Sequence, residues 1–213
     1  MSVIVLDLDG TLVDCKERQS LLAASLCRAA GLKLDIEAFW SAKRAGESTT
    51  KAMCSQGVDA TTAAKLSKLW VTQVETDVWL RMDRLLPGVM RSLRDAREQG
   101  FQLHLLTARA NERALRRQLC WLSLAPLFDH VEVVRPREAS QEKANYLHTV
   151  TPVAFIGDSE SDESAADLAQ VRFLAVTRGQ RSKAYLQTHT NLCALDIKSD
   201  LQQAIQEVMF ENR

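Results

Sequence analysis

Short apolar runs rich in β-branched residues recur along the chain, at Val3 to Leu6, Leu103 to Leu106, Val131 to Val134, Val153 to Ile156 and Phe173 to Val176. Helical patterns separate most of them, which is how a buried parallel sheet reads. From about Arg113 to Leu122, Leu115, Leu119 and Leu122 repeat at i, i+4 and i+7, while Arg113, Arg116 and Arg117 are mostly turned away from them. The alternation predicts an α/β fold with a Rossmann-like, doubly wound parallel sheet.

The first two strands are about a hundred residues apart, far more than a crossover helix needs. Most of that stretch reads as helix, so an inserted helical bundle is expected. Start and stop signals place helices at about Arg18 to Ala30 before Gly31, and Ile36 to Ala45 between Asp35 and Gly46. Two more are expected at Thr49 to Ser55 before Gly57 and at Thr62 to Leu80 capped by Thr61, with Leu66, Leu69, Trp70 and Val74 on one face of the last. Leu86-Pro87-Gly88 marks the return to the core, where a helix from about Val89 to Gln99 ends at Gly100. The expected division is residues 1–14 and 85–213 as the α/β core, with 15–84 as the inserted helical domain.

Composition removes several classes of function. The 213 residues include 27 Lys and Arg against 27 Asp and Glu, with 8 Gly and 4 Pro, which fits a globular chain and excludes disordered or collagen-like ones. Zero net charge gives no bulk field toward a polyanion, so neither nucleic acid nor an anionic membrane is expected as the main partner. The 5 cysteines are scattered without a CxxC pair, and reduced, mostly buried thiols are expected rather than a disulfide or zinc framework. No window approaches the roughly 20 apolar residues of a membrane span, and the start is not a signal peptide. The expectation is a cytoplasmic protein.

The chemistry gathers at strand ends. In Asp7-Leu8-Asp9-Gly10-Thr11, two carboxylates at i and i+2 point the same way at the carboxyl end of the first strand, where open α/β sheets bind ligands. Like charges this close need a cation or a shared proton, and Mg2+ would also neutralise a bound phosphate. By itself the segment equally fits a turn. Three further features converge: Leu105-Leu106-Thr107 delivers a hydroxyl, Gly157-Asp158 delivers a carboxylate with Asp162 four residues on, and Lys143 precedes that last strand.

The set DLDGT, LLT, Lys and GDSESD, in this order, resembles the haloacid dehalogenase-like hydrolase superfamily. The helical insert resembles the cap that the branch of phosphoglycolate phosphatase and β-phosphoglucomutase places after the first motif. The resemblance implies that Asp7 is the nucleophile, forming an aspartyl phosphate, and that Asp9 is the general acid and then the base. It implies Mg2+ held by the Asp7 carboxylate, the Asp9 backbone carbonyl and Asp158, with Asp162 orienting the metal water or Lys143. Thr107 would donate to a phosphate oxygen, Lys143 would oppose the charge on phosphoryl and Asp7, and Gly10 would permit the turn of a backbone cradle. The lysine lacks the proline that often follows it in this branch, so Arg135 or Arg137 is a possible stand-in. Arg109 is a candidate for a phosphate or a carboxylate, with a surface salt bridge as the alternative.

The break Lys43-Arg44-Ala45-Gly46 resembles the specificity loop of that cap. Arg44 or Lys43 would then meet a carboxylate or second phosphate and Gly46 would permit close approach. The competing reading is an ordinary helix end with basic residues against its dipole. Trp40, Trp70 and Trp79 are expected in the bundle core. Asp9 favours phosphoryl transfer over dehalogenation, because a departing halide needs no proton. The expected function is a Mg2+-dependent phosphatase of a small phosphorylated metabolite, as a monomer or homodimer. The alternatives are a phosphomutase of the β-phosphoglucomutase type, a nucleotide or polynucleotide-end phosphatase, and a phosphorylatable receiver or binding module.

Overall fold

A computed structural model of the chain describes residues 2–212. The first apolar run forms strand β1 (Val3–Leu6), which leads through the acidic turn into a short strand β2 (Val13–Asp14). Five helices follow: α1 (Lys16–Ala29), α2 (Ile36–Arg44), α3 (Thr49–Cys54), α4 (Ala60–Gln73) and α5 (Asp77–Leu80). The chain returns through β3 (Arg84–Leu85), which pairs antiparallel with β2, Val13 against Leu85 and Asp14 against Arg84. The helices bury a small core of their own in which Ala23, Cys27, Phe39, Met53, Ala63 and Leu66 meet.

Beyond β3 the alternation resumes with α6 (Val89–Glu98), β4 (Gln102–Ala108), α7 (Glu112–Trp121), β5 (His130–Val134), α8 (Ala139–Val150) and β6 (Ala154–Gly157). It ends with α9 (Glu160–Ala169), β7 (Phe173–Val176), α10 (Lys183–His189), β8 (Ile197–Lys198) and α11 (Leu201–Glu211). The sheet order is β5-β4-β1-β6-β7-β8, and every pairing in it is parallel. Along β1, Ile4 and Leu6 enter the cluster shared with α6, α7 and α11, while Val5 enters the one shared with α8, α9 and α10. This is the period of two that a strand buried on both faces requires. From β1 the chain steps outward to β4 and β5, then crosses back to β6 on the other side of β1. That reversal opens a crevice at the carboxyl ends of β1, β4 and β6.

Two sequence expectations are corrected. The helix expected over residues 62–80 is two helices, because Thr76 turns its hydroxyl and amide onto the Gln73 carbonyl and ends α4 so that the chain can return to the core. Its cap is Asp59, whose carboxylate accepts from the Thr62 amide, and Leu69 faces solvent rather than sharing the buried face. All 5 cysteines are free thiols, but Cys120 and Cys193 are exposed rather than buried. Among the described residues no helix is long and apolar enough to cross a membrane.

Candidate active site

Asp7 follows β1 and is fixed by its amide, which donates to the Ile156 carbonyl at 2.9 Å. The next strand of the sheet thus sets the position of its carboxylate. Lys143, on the first half of α8 and 2% exposed, reaches the crevice and donates from Nζ to Asp7 Oδ1 at 2.7 Å and to Asp162 Oδ1 at 2.6 Å. Asp162 is held in turn by Ser159, whose Oγ donates to Oδ2 at 2.6 Å while also capping α9. Asp158, directly after β6, accepts the Gln180 amide on Oδ2, while its Oδ1 is buried with no partner.

Ligand oxygens of Asp7, Asp158 and Asp162 lie within 4.8 Å of one another. Burial and the neighbouring carboxylate of Asp162 push the Asp7 carboxyl up to about 7, against the opposing pull of Lys143. Burial, then Asp7 and Asp162, push Asp158 well above the usual carboxylate range. Burial alone would lower Lys143, but Asp162 and Asp7 outweigh it and hold it above the usual lysine range. One lysine therefore pairs with two of the three crowded carboxylates, and a buried oxygen on Asp158 lacks a donor. An oxygen-seeking divalent cation fits that arrangement.

The glycine of the turn is required by its neighbours. Gly10 has φ +87°, and a Cβ there would overlap Asp158 Oδ2 and crowd the Gln180 amide. Thr107 lies at the end of β4, 1% exposed, opposite Val133 in β5.

Asp9 occupies a different environment from Asp7. Its Oδ1 accepts from Arg18 Nη2 at 2.7 Å and from Arg109 Nη2 at 2.6 Å. Burial would raise Asp9, but Arg109 and then Arg18 outweigh it and hold the carboxyl below its usual range. Arg109 is therefore a buried partner of Asp9 and not a surface salt bridge.

The remaining candidates make the following contacts. Arg44 donates to the backbone carbonyls of Thr177, at 2.6 Å, and Arg181, at 3.2 Å, so its guanidinium ties the insert to the loop after β7. Gly46, φ +86°, lies against the Tyr185 ring where any Cβ would overlap it; docking between insert and core accounts for this glycine. Lys43 is half-buried beside Thr49 and the Trp70 ring. Arg135 pairs with Glu138 and Glu142 on the exposed start of α8, so it does not replace Lys143. Trp40 is buried, while Trp70 packs at the edge of the insert core with its indole N–H on the Gln19 carbonyl.

Sequence reasoning missed Arg18, Asp83, Gln118 and Gln180. A local signal exists for two of them. Arg18 stands one turn before Leu22 on the buried stripe of α1, and Gln118 sits between Leu115 and Leu119 on that of α7. A polar side chain on an apolar stripe needs a buried partner. Gln180 carries no such mark, yet its side chain donates to the Asp9 carbonyl at 3.3 Å and accepts from Gln19 at 3.1 Å.

At its switch point the parallel sheet thus carries three buried carboxylates, two of them bridged by one buried lysine. The family model for haloacid dehalogenase-like hydrolases matches residues 1–170, and the chain belongs to that family. Its members generally use a divalent metal. No curated protein matches the chain by sequence. Among solved structures, a haloacid dehalogenase-like family hydrolase from Streptococcus pneumoniae is similar with TM-score 0.76 at 17% identity, covering 100% of this chain and 99% of that one. A predicted phosphatase from Clostridium acetobutylicum gives 0.71 at 18% identity over 99% of each chain. A predicted phosphoglycolate phosphatase from Haemophilus somnus gives 0.68 at 16% identity over 97% of each.

Proposed function

We propose that the protein is a Mg2+-dependent phosphatase that hydrolyses a small phosphorylated metabolite, a phosphomonoester, through an aspartyl phosphate on Asp7. The observation that carries this reading is Lys143 bridging Asp7 and Asp162 beside the unpartnered oxygen of Asp158. Residues 15–84 act as a cap over the crevice, and the solved structures described as phosphatases lend the reading support.

Asp7, Asp158 and the Asp9 backbone carbonyl would hold the Mg2+, with Asp162 beside them. When bound, the ion neutralises phosphate charge and polarises the phosphoryl group. Asp7 attacks phosphorus as the ester oxygen departs, and Lys143 stabilises the charge that builds on the phosphoryl oxygens. Thr107 and the turn at Gly10 offer donors to the same oxygens. Asp9 passes a proton to the departing oxygen and accepts one from the water that later releases phosphate. The docked cap excludes bulk water from these steps.

The test is phosphate release from sugar phosphates, phosphoglycolate, nucleotides and cofactor precursors, with and without Mg2+. Asp7→Asn should abolish release while leaving the fold intact by circular dichroism. Release that survives Asp7→Asn unchanged overturns the mechanism, and an isomerised product without phosphate release points to the phosphomutase instead.

A further inference from the structure

Asp9 and four other side chains form a closed circuit. Arg18 donates from Nη2 to Asp9 Oδ1 at 2.7 Å and from Nε to Asp83 Oδ1 at 2.9 Å. Gln118 Nε2 donates to Asp83 Oδ2 at 2.6 Å, its Oε1 accepts from Arg109 Nη2 at 3.3 Å, and Arg109 closes the circuit on Asp9 Oδ1 at 2.6 Å. Arg18 is 2% exposed and is the member carried on the helices of the cap; its Nη1 also reaches the Val74 carbonyl at the end of α4. Asp9 is held by one oxygen only. Among the described residues its Oδ2 has no hydrogen bond, and the side chain remains 17% exposed.

Two guanidiniums on one carboxylate oxygen are the surroundings of an anion, and an anchored anion with a free second oxygen is a proton acceptor in fixed orientation. We propose that Arg18 is a positioning residue for the water step: it holds Asp9 so that Oδ2 accepts a proton from the water attacking phospho-Asp7. In that step the water oxygen bonds to phosphorus, one water proton moves to Asp9 Oδ2, and the bond between phosphorus and the Asp7 oxygen breaks with its electron pair returning to Asp7. Inorganic phosphate leaves. Because Arg18 belongs to the cap and Asp9 to the core, release of the phosphoenzyme is tied to the docked cap. The proposal rests on the phosphatase reading above.

The test is stopped-flow release of p-nitrophenolate from p-nitrophenyl phosphate with Mg2+, by the full-length protein and by Arg18→Gln and Arg18→Lys. A misplaced base slows the water step about tenfold to a hundredfold. Arg18→Gln should then show a burst approaching one p-nitrophenolate per active site, a slow steady rate, and acid-trapped phosphoenzyme that Asp7→Asn lacks. Arg18→Lys, which keeps the charge but cannot bridge Asp9 and Asp83 as a fork, should show the same burst with a smaller fall in rate. It also carries the test if Arg18→Gln does not fold. A fall in rate with no burst and no trapped phosphoenzyme, or a change in KM alone, overturns the proposal while leaving the phosphatase reading standing. Failure of the unaltered protein to hydrolyse any phosphate ester overturns both.

Discussion

Replacing Lys143 by Met keeps much of the packing against Phe155 but removes the buried cation that pairs with Asp7 and Asp162. An unfolded aspartate titrates near 3.9, whereas folded Asp7 is raised to about 7, with burial as the main cause and Lys143 already opposing it. A raised carboxyl favours the folded state while protonated; that contribution is full below about pH 4 and is lost as pH rises through about 7. Without Lys143 the opposing pull is gone, so the loss deepens. At pH 8, stripping a buried ionic group of its partner should cost about 3–5 kcal/mol. At pH 4, with Asp7 protonated in either protein, the contact of Lys143 with Asp162 remains to be lost, and the deficit should shrink to about 1.5–3 kcal/mol, the worth of a hydrogen bond to a charged group. Urea unfolding of chelator-treated Lys143→Met and unaltered protein at the two pH values measures this, and added Mg2+ should recover part of the pH 8 deficit. A deficit of the same size at pH 4 and pH 8 would refute the charge argument and leave only lost packing.

Three other outcomes can be checked. Burial, then Arg181, lowers Lys43 to about 8; a depressed amine adds stability that is full above about 10.4 and lost as pH falls through about 8, so the stability of the unaltered protein relative to Lys43→Met should rise by at most about 3 kcal/mol from pH 8 to 10.4, and parallel unfolding profiles would contradict it. Gly46→Ala combines a strained φ of +86° with overlap on the Tyr185 ring, so about 1–3 kcal/mol of strain should be relieved by undocking the cap, visible as a larger radius in solution scattering; an unchanged profile would count against docking as the role of this glycine. Arg117 pairs with Asp77 between α7 and α5 at 2.8 Å with both side chains roughly half exposed; Arg117→Ala should cost little stability at low salt and nothing at high salt, as chemical denaturation at two ionic strengths would show.

The sheet was legible because its strands are short apolar runs whose meaning is local, and Val3–Leu6 and Phe173–Val176 coincide with the observed strands. The strands β2 and β3 were not, since two residues each carry no period and exist only through pairing with each other. The acids Asp7, Asp9 and Asp158 announce themselves by position at strand ends, and Asp162 by its place four residues on, in the first turn of α9. Their partners do not: Arg18 and Asp83 are separated by 65 positions and meet only through the return of the chain from the cap. Arg44 is ambiguous in another way. Its charge at a helix end reads equally as a site for an anion or as a partner of the helix dipole, and in the structure Nη2 donates to two carbonyls of the loop after β7 while Nε is buried without a partner. Helix α4 was overextended because Val74 and Leu80 keep an apolar rhythm across the break at Thr76, while the hydroxyl that ends the helix has no such rhythm.

The short antiparallel pairing of Val13 with Leu85 and Asp14 with Arg84 has a thermodynamic consequence for the rest of the molecule. It brings the two ends of the inserted stretch side by side, so the sheet meets about seventy residues as a loop already closed. Closure entropy grows only with the logarithm of loop length, about 0.6 kcal/mol for each doubling. The free energy of the sheet is thereby nearly insensitive to how much chain hangs from that ribbon. Insertions, deletions and new helices can accumulate in the stretch between Arg18 and Asp83 while Asp7, Lys143 and Asp158 keep their places in the sheet.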